Sequence, residues 1–255
     1  MQSTNAQKIT DFAVNRKKLI LPVLLFIILI AILYYHSVNN SLTKDDYEYI
    51  PKFLNNISQI SKESTYEEEL DFISAVQLAS FDLVPNAGSI DKNLKREPKE
   101  LYLAKVAGCS GRTRLLEKIF RYSGFKTRHI AIYEKENTNS IIKSLITPQI
   151  ESHALTEVLT KKGWLVVESN YPWLAIDSEN NPIAIKKIKQ SLDNSVDINW
   201  KTPLQTNDLG DIEQTIPYAK PFVYIYGVYS RHGRFYPPYN FIPDINYGEL
   251  IQNVF

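Results

Sequence analysis

The chain has 255 residues, with 29 Lys and Arg against 28 Asp and Glu, so it is long enough for one sizeable domain and lacks the basic field that nucleic-acid binding needs. Its single cysteine, Cys109, excludes an intramolecular disulfide and a multi-cysteine zinc site. The 16 tyrosines suit strands, aromatic packing or contact with sugars and select none of these.

Residues 1–18 end in Arg16, Lys17 and Lys18, after which Leu19 to Tyr35 carries no charge. A run of that length lies at the short end of what spans a bilayer. The basic cluster before it, with Tyr34 and Tyr35 closing it, predicts a single-pass transmembrane helix over 19–36. By the positive-inside rule the N-terminus stays in the cytoplasm and the remainder lies outside the membrane. A cleaved signal peptide competes with this, but no Ala-x-Ala site follows the apolar run. A wholly cytoplasmic protein with a buried helix would leave the basic cluster unexplained.

Residues 37–98 read as the helical first part of the outer domain. After a polar linker from Ser37 to Thr43, Asp45 or Asp46 is expected to cap a helix with Pro51 in its first turn. Ile50, Phe53, Leu54, Ile57 and Ile60 recur at helical spacing. Thr65 with Glu67, Glu68 and Glu69 opens a second amphipathic stretch, in which Leu70, Ile73, Val76 and Ala79 face a core. These glutamates read as a solvated helix start that complements the macrodipole, since no partner acid stands at a defined spacing for paired-carboxylate catalysis. Pro85 to Pro98, rich in turn formers and charge, reads as a loop.

The central region, 99–185, changes pattern. Gly108-Cys109-Ser110-Gly111 leads into a helix striped by Leu115, Leu116, Ile119 and Phe120 and ended by Gly124. Strands are predicted over Thr127–Tyr133, Ser152–Leu159, Gly163–Ser169 and Trp173–Asp177. Lys161-Lys162-Gly163 makes a tight turn, so the second and third form a hairpin. A thiol at a helix N-terminus meets unpaired N–H groups and the positive end of the dipole, which favour the thiolate. His153 is the candidate base. With a two-residue turn Leu155 pairs with Glu168, which puts His153 and Glu168 on one face; a bulge at Gly163 would shift that register by one. Arg128 reads as a fold-supporting ion pair at a strand start, and Trp164 as core.

Four elements in this order resemble the transglutaminase-like superfamily: the glycine-flanked Cys109 at a helix start, Gly124-Phe125-Lys126-Thr127-Arg128 leading into a strand, His153-Ala154-x-x-Glu157-Val158, and Gly163-Trp164 four residues before an acid. The resemblance covers about Leu101 to Asp177. It implies an α+β papain-like core with the cysteine helix packed on an antiparallel sheet, Cys109 as nucleophile, His153 as base and Glu168 as orienting acid, without metal or organic cofactor. That acid is usually Asp in the family, and the residue after His-Ala is usually aromatic where Leu155 stands, so Asp177 is the fallback third residue. Cys109 N–H is one expected oxyanion donor.

Residues 186–255 form a C-terminal extension rich in aromatics and prolines. Tyr224 to Tyr247 is expected to be a proline-fixed extended tail whose aromatics complete the core. Arg231, His232 and Arg234 are candidate substrate-binding residues, suited to a carboxylate or phosphate beside aromatics that stack on a sugar. His232 also competes with His153 as base. The expected activity is amide acyl transfer or hydrolysis through a thioester, on peptide or polysaccharide of the cell envelope. The alternative is an inactive transglutaminase-like scaffold in an envelope assembly.

Overall fold

The computed structural model describes residues 5–85, 96–135, 140–199, 201, 221–230 and 242–254. The chain divides into two compact units, Met1–Ser37 and Val38–Phe255. The first is the helix α1 (Asn5–Tyr35), with Pro22 inside it. From Ile20 onward its large apolar side chains point outward, Leu24 51 % and Phe26 61 % exposed. Among the described residues no helix is long and apolar enough to cross a membrane, so the span expected over 19–36 has no support from the fold.

The second unit is α+β. Its helical layer comprises α2 (Lys44–Phe53), α3 (Tyr66–Leu83), α4 (Pro98–Ala104) and α5 (Cys109–Tyr122). Then come β1 (Lys126–Glu134), α6 (Ile141–Ile146), β2 (Ser152–Thr160), β3 (Gly163–Val167), α7 (Ile185–Asn194), β4 (Phe222–Tyr226), β5 (Val228–Tyr229), β6 (Asp244–Ile245) and α8 (Tyr247–Leu250). β3, β2, β1 and β4 make an antiparallel sheet in that order, and β5 pairs with β6.

Local chemistry sets the helix ends. Thr65 caps α3, its hydroxyl accepting from Glu68 N–H while Glu68 accepts from Thr65 N–H at 2.6 Å. The same reciprocal box opens α2, but Thr43 is its cap and Asp46 occupies the third position, which corrects the expectation that Asp45 or Asp46 would cap. Pro51 falls in the last turn of α2 rather than the first, where its missing N–H removes one bond from a helix that ends two residues later. α5 ends where Gly124 was expected to stop it. Gly124 takes φ +92°, its N–H donates to Arg121 C=O and Phe125 N–H reaches back to Phe120 C=O, with the Phe120 and Phe125 rings in contact.

The sheet is covered on both faces. Ile50, Phe53, Ile73, Val76, Leu115, Leu116, Ile119 and Phe120 from the helices meet Val158, Leu165 and Val167. The alternate residues Leu155 and Val166, with Ile130 and Ile132, pack against Ile185 and Ile188 of α7. Trp173–Asp177 is not the strand expected. Only isolated bridges join Val167 to Leu174 and Ile176 to Pro182: Glu168 N–H and Ala175 N–H bond the stretch to the end of β3 for one step, after which it doubles back through Asn180 (φ +62°). Residues 222–226, three of them inside the tail expected to be extended, form the edge strand β4, and Phe222 and Tyr226 fill the core. Arg128 and Trp164 meet: the guanidinium lies 3.7 Å from the Trp164 ring and 4.3 Å from that of Tyr226, and pairs with buried Glu157 at 2.5 Å.

β4 passes into β5 through Gly227 at φ +74°, where an added Cβ would lie 2.6 Å from Asn246 O and 2.7 Å from Leu250 N. Both neighbours are backbone and have no rotamer by which to yield. Gly227→Ala is therefore expected to destabilise the protein by about 2 kcal/mol, read as a lower urea midpoint at unchanged slope.

Candidate active site

Cys109 is the first residue of α5, capped by the backbone of Gly108 with no side-chain cap on the first-turn N–H groups. The first turn of a helix lacks intrahelical partners for its N–H groups, and its dipole favours an anion there; Cys109 is partly exposed. The thiol hydrogen-bonds to His153 near the start of β2. His153 is 9 % exposed, and its Nε2 donates to Glu168 Oε1 at 2.6 Å. An ionised carboxylate only accepts, so Nε2 carries the proton and Nδ1 is the nitrogen left for the thiol.

The hairpin brings the acid to the base. Thr160 pairs with Gly163 across a two-residue turn, and Thr156 pairs with Val167, so the ladder continued by one step sets Leu155 opposite Glu168. Glu168 is 1 % exposed, and besides the histidine its Oε1 accepts from the N–H groups of Ser169 (2.8 Å) and Asn170 (2.9 Å). Two backbone donors hold this oxygen in place and favour its charged form. Ser169 Oγ (2.7 Å) and Thr113 Oγ1 of α5 (2.9 Å) both donate to Ala154 C=O, tying the acid's turn and the cysteine helix to the residue beside His153.

The electrostatics follow from the geometry. Burial opposes ionisation of Cys109, but the hydrogen bond and charge of His153 outweigh it and lower the thiol's pKa. For His153, burial favours the neutral ring, yet the Glu168 carboxylate and the Cys109 sulfur lift its pKa to about 10. Both shifts favour the thiolate and imidazolium form of the pair, with Glu168 as counter-ion.

The structure brings Cys109, His153 and Glu168 together. It leaves Asp177 apart: that carboxylate accepts from the N–H groups of Asn181 (2.8 Å) and Glu179 (3.0 Å) and closes a surface turn. Arg231, His232 and Arg234 lie outside the described residues. Among the described residues no three His, Cys, Asp or Glu side chains are grouped to hold a metal ion. Two side chains that the sequence did not single out, Gln77 of α3 and Arg112 of α5, contact the turn that follows Glu168. Buried polar residues on helix faces are the only signal that would have pointed to them.

No model of a known protein family matches the chain, and neither a curated protein nor a solved structure matches it.

Proposed function

We propose that this protein is a transglutaminase-like cysteine enzyme with a papain-like core that transfers or hydrolyses acyl groups at an amide. The observation that carries this reading is the continuous chain of contacts from Cys109 to His153 to Glu168, with the carboxylate fixed by two backbone N–H groups. A scaffold without turnover needs neither an ionised thiol nor an oriented imidazole.

In the reaction, the Cys109 thiolate attacks the amide carbon, forming a C–S bond and an oxyanion that Cys109 N–H stabilises. The C–N bond breaks as the His153 imidazolium gives its proton to the departing amine. Water or an acceptor amine then attacks the thioester and loses a proton to His153, and the thiolate leaves. The product is a carboxylate in the first case and a new amide in the second. Glu168 keeps the ring oriented and stabilises its charged form throughout.

Placement is part of the proposal. In the sequence, Arg16, Lys17 and Lys18 precede the uncharged run Leu19 to Tyr35, and that pattern is what supports a single-pass anchor with the remainder outside the cytoplasmic membrane. Peptide or polysaccharide of the cell envelope is then the substrate within reach. The test is to incubate the full chain in detergent with solubilised envelope peptides and a fluorescent primary amine, following amine incorporation and new carboxylates by mass spectrometry. Turnover by the wild type that vanishes in Cys109→Ala, with the thermal melt unchanged, is expected. Equal turnover in both proteins would remove Cys109 from the chemistry.

A further inference from the structure

Glu168 stands at the end of β3, and its carboxylate depends on where the next residues place their N–H groups. The turn from Glu168 to Trp173 closes on itself by Glu168 N–H donating to Trp173 C=O at 3.2 Å and Trp173 N–H to Tyr171 C=O at 2.8 Å. Each carbonyl oxygen has two lone pairs, so these two bonds leave acceptor capacity on the turn that needs further donors. Gln77, 1 % exposed in the middle of α3, supplies them: Nε2 donates to the carbonyls of Glu168 (2.7 Å), Tyr171 (3.2 Å) and Trp173 (2.9 Å).

From the other side comes Arg112, also 1 % exposed and three residues after Cys109 in α5. Its Nε donates to Ser169 C=O and its Nη2 to Asn170 Oδ1 at 2.6 Å, while the guanidinium lies 5.1 Å from the Phe81 ring of α3. The residues gripped by Arg112 are the two whose N–H groups hold Glu168 Oε1. A planar fork fixes both an angle and a distance, which a lysine ammonium at the same place does not.

We infer that Gln77 and Arg112 are positioning residues, clamping the Glu168–Trp173 turn from two helices so that the Glu168 carboxylate stays aimed at His153. The inference rests on the cysteine-enzyme reading above. It adds that the acid is held through the backbone of its turn, so that substitutions out of contact with the reacting atoms change the ionisation of Cys109.

The experiment measures the pH dependence of Cys109 alkylation by iodoacetamide in the full chain, for the wild type, Gln77→Met, Arg112→Lys and each of these combined with Glu168→Gln. Gln77→Met keeps the side-chain length without donors, and Arg112→Lys keeps the charge without the fork. In the wild type the midpoint is expected well below the roughly 8.5 of a free thiol. Each single variant is expected to raise it, lowering the rate near pH 6.5 about fivefold or more, while neither adds to the rise caused by Glu168→Gln alone. A role confined to fold stability would lower the melting temperature and leave the midpoint unmoved, which would overturn the inference. Shifts that add fully to that of Glu168→Gln would overturn it as well. A wild-type midpoint at the free-thiol value would instead defeat the cysteine-enzyme reading, and this inference with it. Should Gln77→Met fail to fold, Arg112→Lys and the milder Asn170→Ala decide the matter by the same criteria.

Discussion

Glu168→Gln is expected to cut turnover by roughly 10⁴-fold while leaving a folded protein, a loss comparable to that from removing the charge of a triad acid. The glutamine amide has nearly the shape of the carboxylate, so the core around it changes little. Its charge is gone, however, and either its oxygen or its amino group can turn toward His153. If the amino group does, it donates to Nε2 and forces the proton onto Nδ1, where a nucleophile's base must instead present a lone pair. If the oxygen does, the ring is oriented correctly, but the imidazolium has lost the anion 2.6 Å away that supports it. Either way the histidine's pKa falls from about 10, and losing the imidazolium beside the sulfur, a larger effect than relief from the Glu168 charge, raises the thiol's and shifts the pair toward neutral thiol and imidazole. The pH profile carries the sign. Wild-type turnover should rise at a pH below the ordinary thiol range, as the sulfur ionises, and fall near pH 10, as the imidazolium loses the proton it must deliver. In Glu168→Gln the rising limb should move to higher pH. A rate within tenfold of the wild type would mean that Glu168 does no more than pack.

The hairpin was legible because its parity depends on a single local fact, the two-residue turn at Lys161 and Lys162, and alternation then carries Glu168 to the face of His153. The start of α5 was legible for a similar reason: glycine precedes Cys109, an apolar stripe follows, and Gly124 stops the helix within a few residues of the sequence. What could not be read depends on contacts between distant segments. Residues 222–226 alternate no more clearly than their neighbours, and β4 exists because β1 offers an unpaired edge about ninety residues earlier in the chain. Gln77 lies ninety-one residues from the Glu168 carbonyl that it binds, and nothing in its own helix announces that partner. Trp173–Asp177 has strand composition, but after one pairing step with β3 through Ala175 N–H and Val166 C=O its groups are taken by Ile183 and Asn181, so no ladder continues. On the polar side of α5, Arg114, Glu117 and Lys118 are buried beneath segments from both ends of the Val38–Phe255 unit, and no local pattern announces those partners.

That buried cluster should make stability fall at alkaline pH, and Glu249→Gln should remove most of the fall. Glu117 of α5 and Glu249 of α8 share donors: Asn40 Nδ2 donates to both, at 2.9 and 2.7 Å, and Arg121 Nη2 reaches both, at 3.4 and 2.9 Å. Tyr229 OH donates to Glu117, and His129 N–H to Glu249 Oε2 at 3.0 Å. Burial opposes the charge on Glu117, but Arg114 and the other nearby cations hold it ionised, with its pKa lowered. Glu249 is then pushed up to about 8, by burial first and by the Glu117 charge second. Its proton is bound more tightly in the folded chain than in the unfolded one, so the stability it contributes is full below the ordinary carboxylate range and is lost as pH rises through about 8. His129 acts with the opposite sense. Burial lowers its pKa to about 4, so its contribution is present above the ordinary histidine value and is lost as pH falls through 4. Folding should therefore be most favourable in the mildly acidic range, and the Glu249 contribution should fall by about 3 kcal/mol between pH 6 and 9, since the two tenfold steps from pH 6 to its folded pKa are each worth about 1.4 kcal/mol. Glutamine at 249 keeps the hydrogen-bonding shape of the protonated acid and cannot ionise. Urea unfolding of wild type and Glu249→Gln at a series of pH values should give similar stabilities near pH 4 and a variant increasingly more stable as pH rises to 9. Parallel curves would place the proton elsewhere in the cluster. Because Asn40 and Glu249 come from the two ends of this unit and meet on the helix that begins with Cys109, the same titration should loosen the support of α5 itself, and alkylation of Cys109 above pH 8 should then lose its dependence on His153.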